Sequence, residues 1–125
     1  MGPERKLYQN LKRNCPSITW NRIENLAGIG TPDVLGYNTN RHFFTVELKV
    51  IKGNRIKFSP HQIAFHVKHP HNTFIIAQAL GPRASKTFSV SMYRGSRIRE
   101  LAEQGLELDA CCLGLEASID YLLSI

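Results

Sequence analysis

No apolar run in this chain is long enough to cross a bilayer as a helix. The opening stretch, MGPERKLYQN, lacks the apolar centre of a secretory signal. It begins Met-Gly, but position 6 is Lys6 rather than Ser or Thr, so a myristoylation pattern is not met. Cysteine is scarce: Cys15, Cys111 and Cys112 are odd in number and two are adjacent, which is poor material for a disulfide framework. No two of them have zinc-finger spacing, so free thiols in a reducing, cytoplasmic compartment are the expectation. There is no internal repeat and no low-complexity tract. Acidic residues are also short, 10 against 16 Lys and Arg, which leaves a formal charge of +6. That balance concerns partners rather than fold: nucleic acid is the commonest polyanion for such a surface, and a membrane surface comes second.

What is present fits a globular chain. The sequence has 125 residues, 42% of them apolar and spread from end to end, so a single domain over 1–125 with one modest core is expected. Pro3 to Asn14 reads as a helix, with Pro3 in its first turn, Leu7 and Leu11 on one face and bases around them. Ile18 to Leu26 reads as a strand, followed by the Gly-containing loop AGIGT. Val34 to Tyr37 is a short strand, NTNR a turn, and His42 to Val50 a strand rich in β-branched and aromatic residues. Ile51 to Phe58 is a basic loop or a frayed continuation. Ser59-Pro60-His61-Gln62 opens a helix, with Ser as N-cap and Gln three residues on, and Pro70 lies beyond its end. Thr73 to Ala79 is a buried strand. Thr87 to Tyr93 alternates, with Phe88, Val90 and Met92 on one face. A helix from about Ser96 closes at Gly105, and a last helix runs from about Leu115 to Leu123. The order α-β-β-β-α-β-β-α-α predicts a mixed α/β fold, a sheet flanked by helices.

Three charges in TPDVLGYNTNRHFFTVELKV need a reason. Along the second strand Phe44, Val46, Leu48 and Val50 share one face, and Thr45, Glu47 and Lys49 the other. A two-residue turn would put Asp33 opposite Val46. A three-residue loop, Thr39 to Arg41, puts it opposite Glu47, and a five-residue loop opposite Thr45. Asn40 tolerates the left-handed conformation that a three-residue loop requires. Directly opposed carboxylates, with Cβ atoms about 5 Å apart, repel unless a proton or cation lies between them. A hard divalent cation with oxygen ligands satisfies both, and Lys49 beside it could orient a water or offset phosphate charge. A solvated strand face with Asp33 as a turn residue is the plain alternative.

Pro32-Asp33 followed fourteen positions later by Glu47-Leu48-Lys49 resembles the PD-(D/E)XK nuclease signature. With Arg22-Ile23-Glu24-Asn25, Gly28-Ile29-Gly30 and Ser59-Pro60-His61-Gln62 around it, the chain from Pro3 to Ala79 is similar to small phage-type VRR-NUC nucleases, relatives of Holliday-junction resolvases. The resemblance implies a restriction-endonuclease-like core, a central mixed sheet with helices on both sides. It implies magnesium- or manganese-dependent hydrolysis of DNA phosphodiesters, on branched or flapped DNA, by a homodimer, in a protein of phage origin acting in the host cell. Carried over, Asp33, Glu47 and the Leu48 carbonyl would bind metal, and Lys49 would position or activate water. An upstream acid would join them: Glu24, slightly preferred, or Glu4, whose place at a helix N-terminus also suits the dipole. Gln62 would lie near the site, or reach back to the Ser59 N–H in a capping box, or do both.

Arg41, Lys52, Arg55 and Lys57 border this site and would contact backbone phosphates, which give affinity and salt dependence rather than sequence readout. His61, His66, His69 and His71 form a loose cluster, read as helix-end histidines favoured by the dipole rather than as a zinc site. Trp20 reads as core. Cys111 and Cys112 read as packing between helices. The late apolar segments CCLGL and IDYLLSI suit either a dimer interface or packing within the chain. The competing function is a non-catalytic nucleic-acid-binding module with a nuclease-like fold. A nuclease for RNA or linear DNA stays open within the enzyme class.

Overall fold

A computed structural model describes residues 2–23, 30–80 and 89–125. Helix α1, Pro3–Asn14, starts with Pro at its first position and ends with Lys12 and Arg13 in the last turn, where the helix dipole favours positive charge. Three antiparallel strands follow: β1 (Thr19–Arg22), β2 (Val34–Tyr37) and β3 (Phe43–Lys52). Helix α2 (Pro60–Lys68) then crosses to β4 (Thr73–Leu80), which runs parallel to β3. Strand β5 (Val90–Arg94) returns antiparallel to β4, and a 3₁₀ turn at Gly95–Arg97 leads into α3 (Ile98–Gln104). A two-residue strand β6 (Cys112–Leu113) pairs with β5 before α4 (Leu115–Ser124). The spatial order equals the chain order, β1 to β6, in one mixed sheet. No helix among the described residues is long and apolar enough to cross a membrane.

The sheet is buried on both faces at its centre. On one face Phe44, Val46 and Leu48 of β3, Phe74 and Ile76 of β4 and Met92 of β5 pack with Leu7 and Leu11 of α1 and Ile119 and Leu122 of α4. Trp20 belongs to this core: its indole meets the Phe44 ring edge-on at 5.8 Å, and its N–H donates to the Cys15 carbonyl at 2.9 Å. On the other face Ile75, Ala77 and Tyr93 pack with Ile98 and Leu101 of α3 and with Ile56 and Leu108. A strand covered on both sides reads as an unbroken apolar run rather than as alternation, which is why TFIIAQA looks as it does. Gly36 lies opposite Phe44, and a Cβ built on it would fall 2.2 Å from the Phe44 ring. Only glycine lets that ring sit flat against β2.

Four expectations change. Strand β1 ends at Arg22; Ile23 is outside it, and Leu26 lies outside the described residues, as does Phe88 before β5. The left-handed residue of the NTNR turn is Arg41 (φ 67°), not Asn40. In a three-residue loop a type I turn comes first and the left-handed residue last, so the position is set by geometry, although Asn would tolerate it better. Cys111 and Cys112 do not pack between helices. The Cys111 N–H donates to Met92 O at 2.8 Å and Cys112 pairs with Met92, so the segment is a sheet edge too short for a period-two signal. His66 is fully buried rather than a solvated helix-end cation. Its Nδ1 lies 2.8 Å from the Gln62 carbonyl and so carries the proton. Burial pushes its pKa down and keeps the ring neutral, with the Gln62 bond a smaller opposing effect.

The candidate active site

The β2–β3 turn sets the register on which the site depends. Asn38 N–H donates to His42 O at 3.1 Å and Arg41 N–H to Asn38 O at 3.0 Å, which closes the three-residue loop Thr39–Arg41. The Asn38 side chain accepts from Asn40 N–H and His42 N–H, both at 3.0 Å, and donates to Leu122 O at 2.9 Å. Asn40 donates to Leu123 O and Ile125 O, so the turn is fastened to the end of α4. Val34 then pairs with Val46 and Leu35 with Thr45, and the next position back sets Asp33 opposite Glu47. Both acids are on the face opposite the Phe44–Val46–Leu48 core.

Asp33 is held at the point where β2 stops and β3 continues. Its carbonyl accepts from Ile23 N–H at 2.8 Å, which extends the β1–β2 ladder. Its Oδ2 accepts from Leu48 N–H at 2.8 Å. By register Leu48 faces Pro32; the Asp33 carboxylate takes the Leu48 N–H, and Pro32 has no N–H to give the Leu48 carbonyl. The N–H and C=O of one strand residue leave on the same side, so the Leu48 carbonyl opens toward Asp33. The approach to Asp33 passes Gly30 (φ 84°), where a Cβ would fall 2.5 Å from the His61 backbone; the loop and the first turn of α2 are in contact.

Glu47 is 3% exposed and, among the described residues, has no basic partner at ion-pair distance. Its Oε2 accepts from Gln62 Nε2 at 3.1 Å, and its Oε1 is buried without a hydrogen-bond partner. Burial first, and then the Asp33 carboxylate, push its pKa up to about 9, with Lys49 opposing and Glu4 adding to the rise. Glu47 therefore keeps its proton at neutral pH. Lys49 Nζ donates to Gln62 Oε1 at 3.3 Å and lies 5.1 Å from the centre of the Phe58 ring. Gln62 thus joins Lys49 and Glu47. It also accepts from Ser59 N–H at 2.9 Å and gives its own N–H to Ser59 Oγ at 3.1 Å. Capping box and site contact occur together in one side chain.

Glu4, half-buried in the first turn of α1, is near enough to Glu47 to raise its pKa. Glu24 lies outside the described residues. Among the described residues no three His, Cys, Asp or Glu side chains gather closely enough to hold a metal ion, at this pair of acids or at the histidines. Arg41, Lys52, Arg55 and Lys57 are all exposed, and Arg55 Nη1 donates to Glu103 O at 3.2 Å, so it also ties its loop to the end of α3. Sequence reasoning missed Phe58, whose ring Lys49 lies against, and the burial of Thr45 Oγ1 on the same face. Phe58 sits in a loop with no periodicity to mark its direction, and a strand threonine reads as exposed by default.

The sheet order, with one parallel pair inside an otherwise antiparallel sheet and helices on both faces, is a restriction-endonuclease-like fold. The solved structure of Hjc from Archaeoglobus fulgidus, a Holliday junction resolvase from an archaeal hyperthermophile, is similar to it with a TM-score of 0.52 over 73% of this chain and 76% of that one, at 16% sequence identity. Identity that low carries the fold alone. No family model and no curated protein matches the sequence.

Proposed function

We propose that this chain is a divalent-metal-dependent endonuclease that hydrolyses phosphodiester bonds in branched DNA, as the Hjc neighbour's description as a Holliday junction resolvase suggests. The observation that carries the reading is Glu47: a carboxyl buried to 3% exposure, facing a second acid, with one oxygen unpartnered. A buried acid pair without a cation opposes folding, and a fold has little reason to keep one unless something binds there. The donors fit magnesium or manganese in kind, since all are oxygens: Asp33, Glu47 and the Leu48 carbonyl. Glu4, or Glu24, is the proposed further acid.

Bound there, the cation would polarise the scissile phosphate and lower the pKa of the attacking water. The chain's own groups do the rest. Asp33 keeps its orientation through the Leu48 N–H, which takes one of its two carboxylate oxygens. Glu47 would give up its proton on holding a cation. Gln62 fixes the Glu47 carboxylate and the Lys49 ammonium relative to one another. Lys49 orients the water and offsets charge on the phosphate as it develops. Arg41, Lys52, Arg55 and Lys57 contact flanking phosphates. Two cuts in a four-way junction need two sites, so the working form is a homodimer.

The test is incubation with four-way junctions, flaps, linear duplex and single strands, with and without magnesium or manganese. Metal-dependent cleavage of branched substrates, abolished by Asp33→Asn and by Glu47→Gln, is expected. Cleavage that survives both substitutions, or none on any substrate, removes the reading. The two-acid count among the described residues favours one rival, a non-catalytic DNA-binding module; tight junction binding without cleavage would select it.

A further inference from the structure

Beyond the acid pair, the same face of the sheet carries a second feature. Phe43 is 61% exposed, and it is directly paired with Tyr37, the two rings 4.5 Å apart. Burial of a phenylalanine ring stabilises a fold, and here most of that gain is left unused. Scattered exposed apolar residues are ordinary. Val67 and Leu113, the other large ones among the described residues, are aliphatic and form no ring pair. Phe43 differs because its ring rests against a second one, the two planes tilted by 50°, and because the pair shares a face with Glu47 and Lys49. Helices α2 and α3 cover this face over β3 to β5. Toward β1 the described residues leave it uncovered, with Thr19 and Asn21 exposed and Leu35 and Tyr37 half-buried.

The pair is rigidly mounted. The Phe43 carbonyl accepts from Asn72 Nδ2 at 3.2 Å, Thr45 N–H donates to Asn72 O at 3.0 Å, and the adjoining turn is fastened by Asn38 to α4. Arg41 and His42, both exposed, stand beside it. Phe43 and Glu47 are four strand rises apart, about 13 Å at 3.3 Å each. That distance is about four nucleotides of stacked strand at 3.4 Å per nucleotide, and fewer when the strand is extended.

We infer that Phe43, backed by Tyr37, is a stacking platform for an unpaired base of the substrate strand, a few nucleotides from the bond held at Glu47. The inference rests on the nuclease reading and deepens it. Every base has a π-face, so the platform selects unpaired strand over duplex without reading sequence. Arg41 and His42 take the phosphates on either side of the stacked base, as the positive charge of this edge suits. Selectivity for flapped over continuous duplex DNA then comes in part from the chain's own sheet face, because a flap offers an unpaired base next to a duplex.

The experiment measures binding of the full chain in EDTA, so that it does not depend on cleavage. The probes are a flapped duplex, a four-way junction and a linear duplex of equal length, each with 2-aminopurine placed in turn along one strand. The unaltered chain is expected to change the fluorescence at one or two unpaired positions. Phe43→Ala should remove that change and weaken flap binding about 10-fold or more, with less than 2-fold loss on linear duplex. Phe43→Trp should restore both. Because Phe43 is mostly exposed, the alanine variant should keep its urea midpoint. Equal loss on flap and duplex, no loss at all, or a change from dimer to monomer in sedimentation would each overturn the platform. Failure of the unaltered chain to bind any DNA would remove the nuclease reading and the platform with it; normal binding that ignores Phe43 removes the platform alone.

Discussion

Glu47 is where local chemistry and folding conflict most. Its carboxyl ionises near pH 4.5 in the unfolded chain and at about 9 in the fold. Between those values the unfolded chain releases a proton that the folded chain keeps, so stability falls as pH rises across that window, by up to about 1.4 kcal/mol per pH unit. Below the window both states are protonated and the effect is absent. Urea unfolding of metal-free protein at pH 5 and pH 8 should show this decline. Glu47→Gln should flatten it, since an amide of the same shape carries no proton that titrates in this window. A decline unchanged by Glu47→Gln would place its origin elsewhere. Gln62 separates two roles in the same way. Ser59→Ala and Gln62→Ala both break the capping box and should each cost about 1 kcal/mol. Only Gln62→Ala also releases Glu47 and Lys49, so it alone should lower the cleavage rate, by about tenfold or more. Equal activity of the two variants would reduce Gln62 to a cap.

At the scale of elements, the β2–β3 hairpin decides whether there is a site at all, and it was largely legible. The alternation of HFFTVELKV gives the two faces, and the odd length of the turn was the one open variable. What could not be read was the outside partner: Asn38 and Asn40 hold the turn through carbonyls more than eighty residues away, at Leu122, Leu123 and Ile125. Local chemistry pointed to Asn40 as the left-handed residue, but tertiary bonds recruit that asparagine and leave Arg41 in the unfavourable region. Arg41→Gly should therefore stabilise the fold by up to about 1 kcal/mol, while weakening DNA binding if Arg41 contacts phosphate. Thermal melting and a binding titration on one variant read both. The helix starts were legible because caps are local. Strand β6 was not, because two residues carry no period and its pairing with β5 is a tertiary event. Gly36 gave no sign of its task either, since the ring it must admit lies on the neighbouring strand. Gly36→Ala forces a Cβ into Phe44 and should cost about 1–3 kcal/mol, read as a lower urea midpoint.

Over the whole molecule, positive charge brackets the acid pair along one strand. Arg41 and His42 precede β3, Glu47 and Lys49 lie within it, and Lys52 ends it, with Arg55 and Lys57 just beyond. The ten residues of β3 span about 33 Å, so under the proposed function phosphates on both sides of the bond to be cut would be neutralised at once. Arg41, Lys49, Lys52, Arg55 and Lys57, five of the 16 Lys and Arg, form a track along this strand and its ends. Within that track the contributions differ. Arg55 is engaged with the Glu103 carbonyl and ties the loop to α3, so its removal would mix a folding effect into any binding change. Lys52 and Lys57 are exposed on either side of the buried Ile56 and are the cleaner probes. Each phosphate contact contributes about 0.9 to the slope of log affinity against log salt on duplex. The double variant Lys52→Ala/Lys57→Ala should then reduce that slope by about two, to the same extent on every sequence, with the magnesium dependence of cleavage unchanged. A slope equal to that of the unaltered chain would move the DNA track off the β3–α2 loop, and a shifted magnesium dependence would mean that these lysines act on the acid pair instead of on the phosphates beside it.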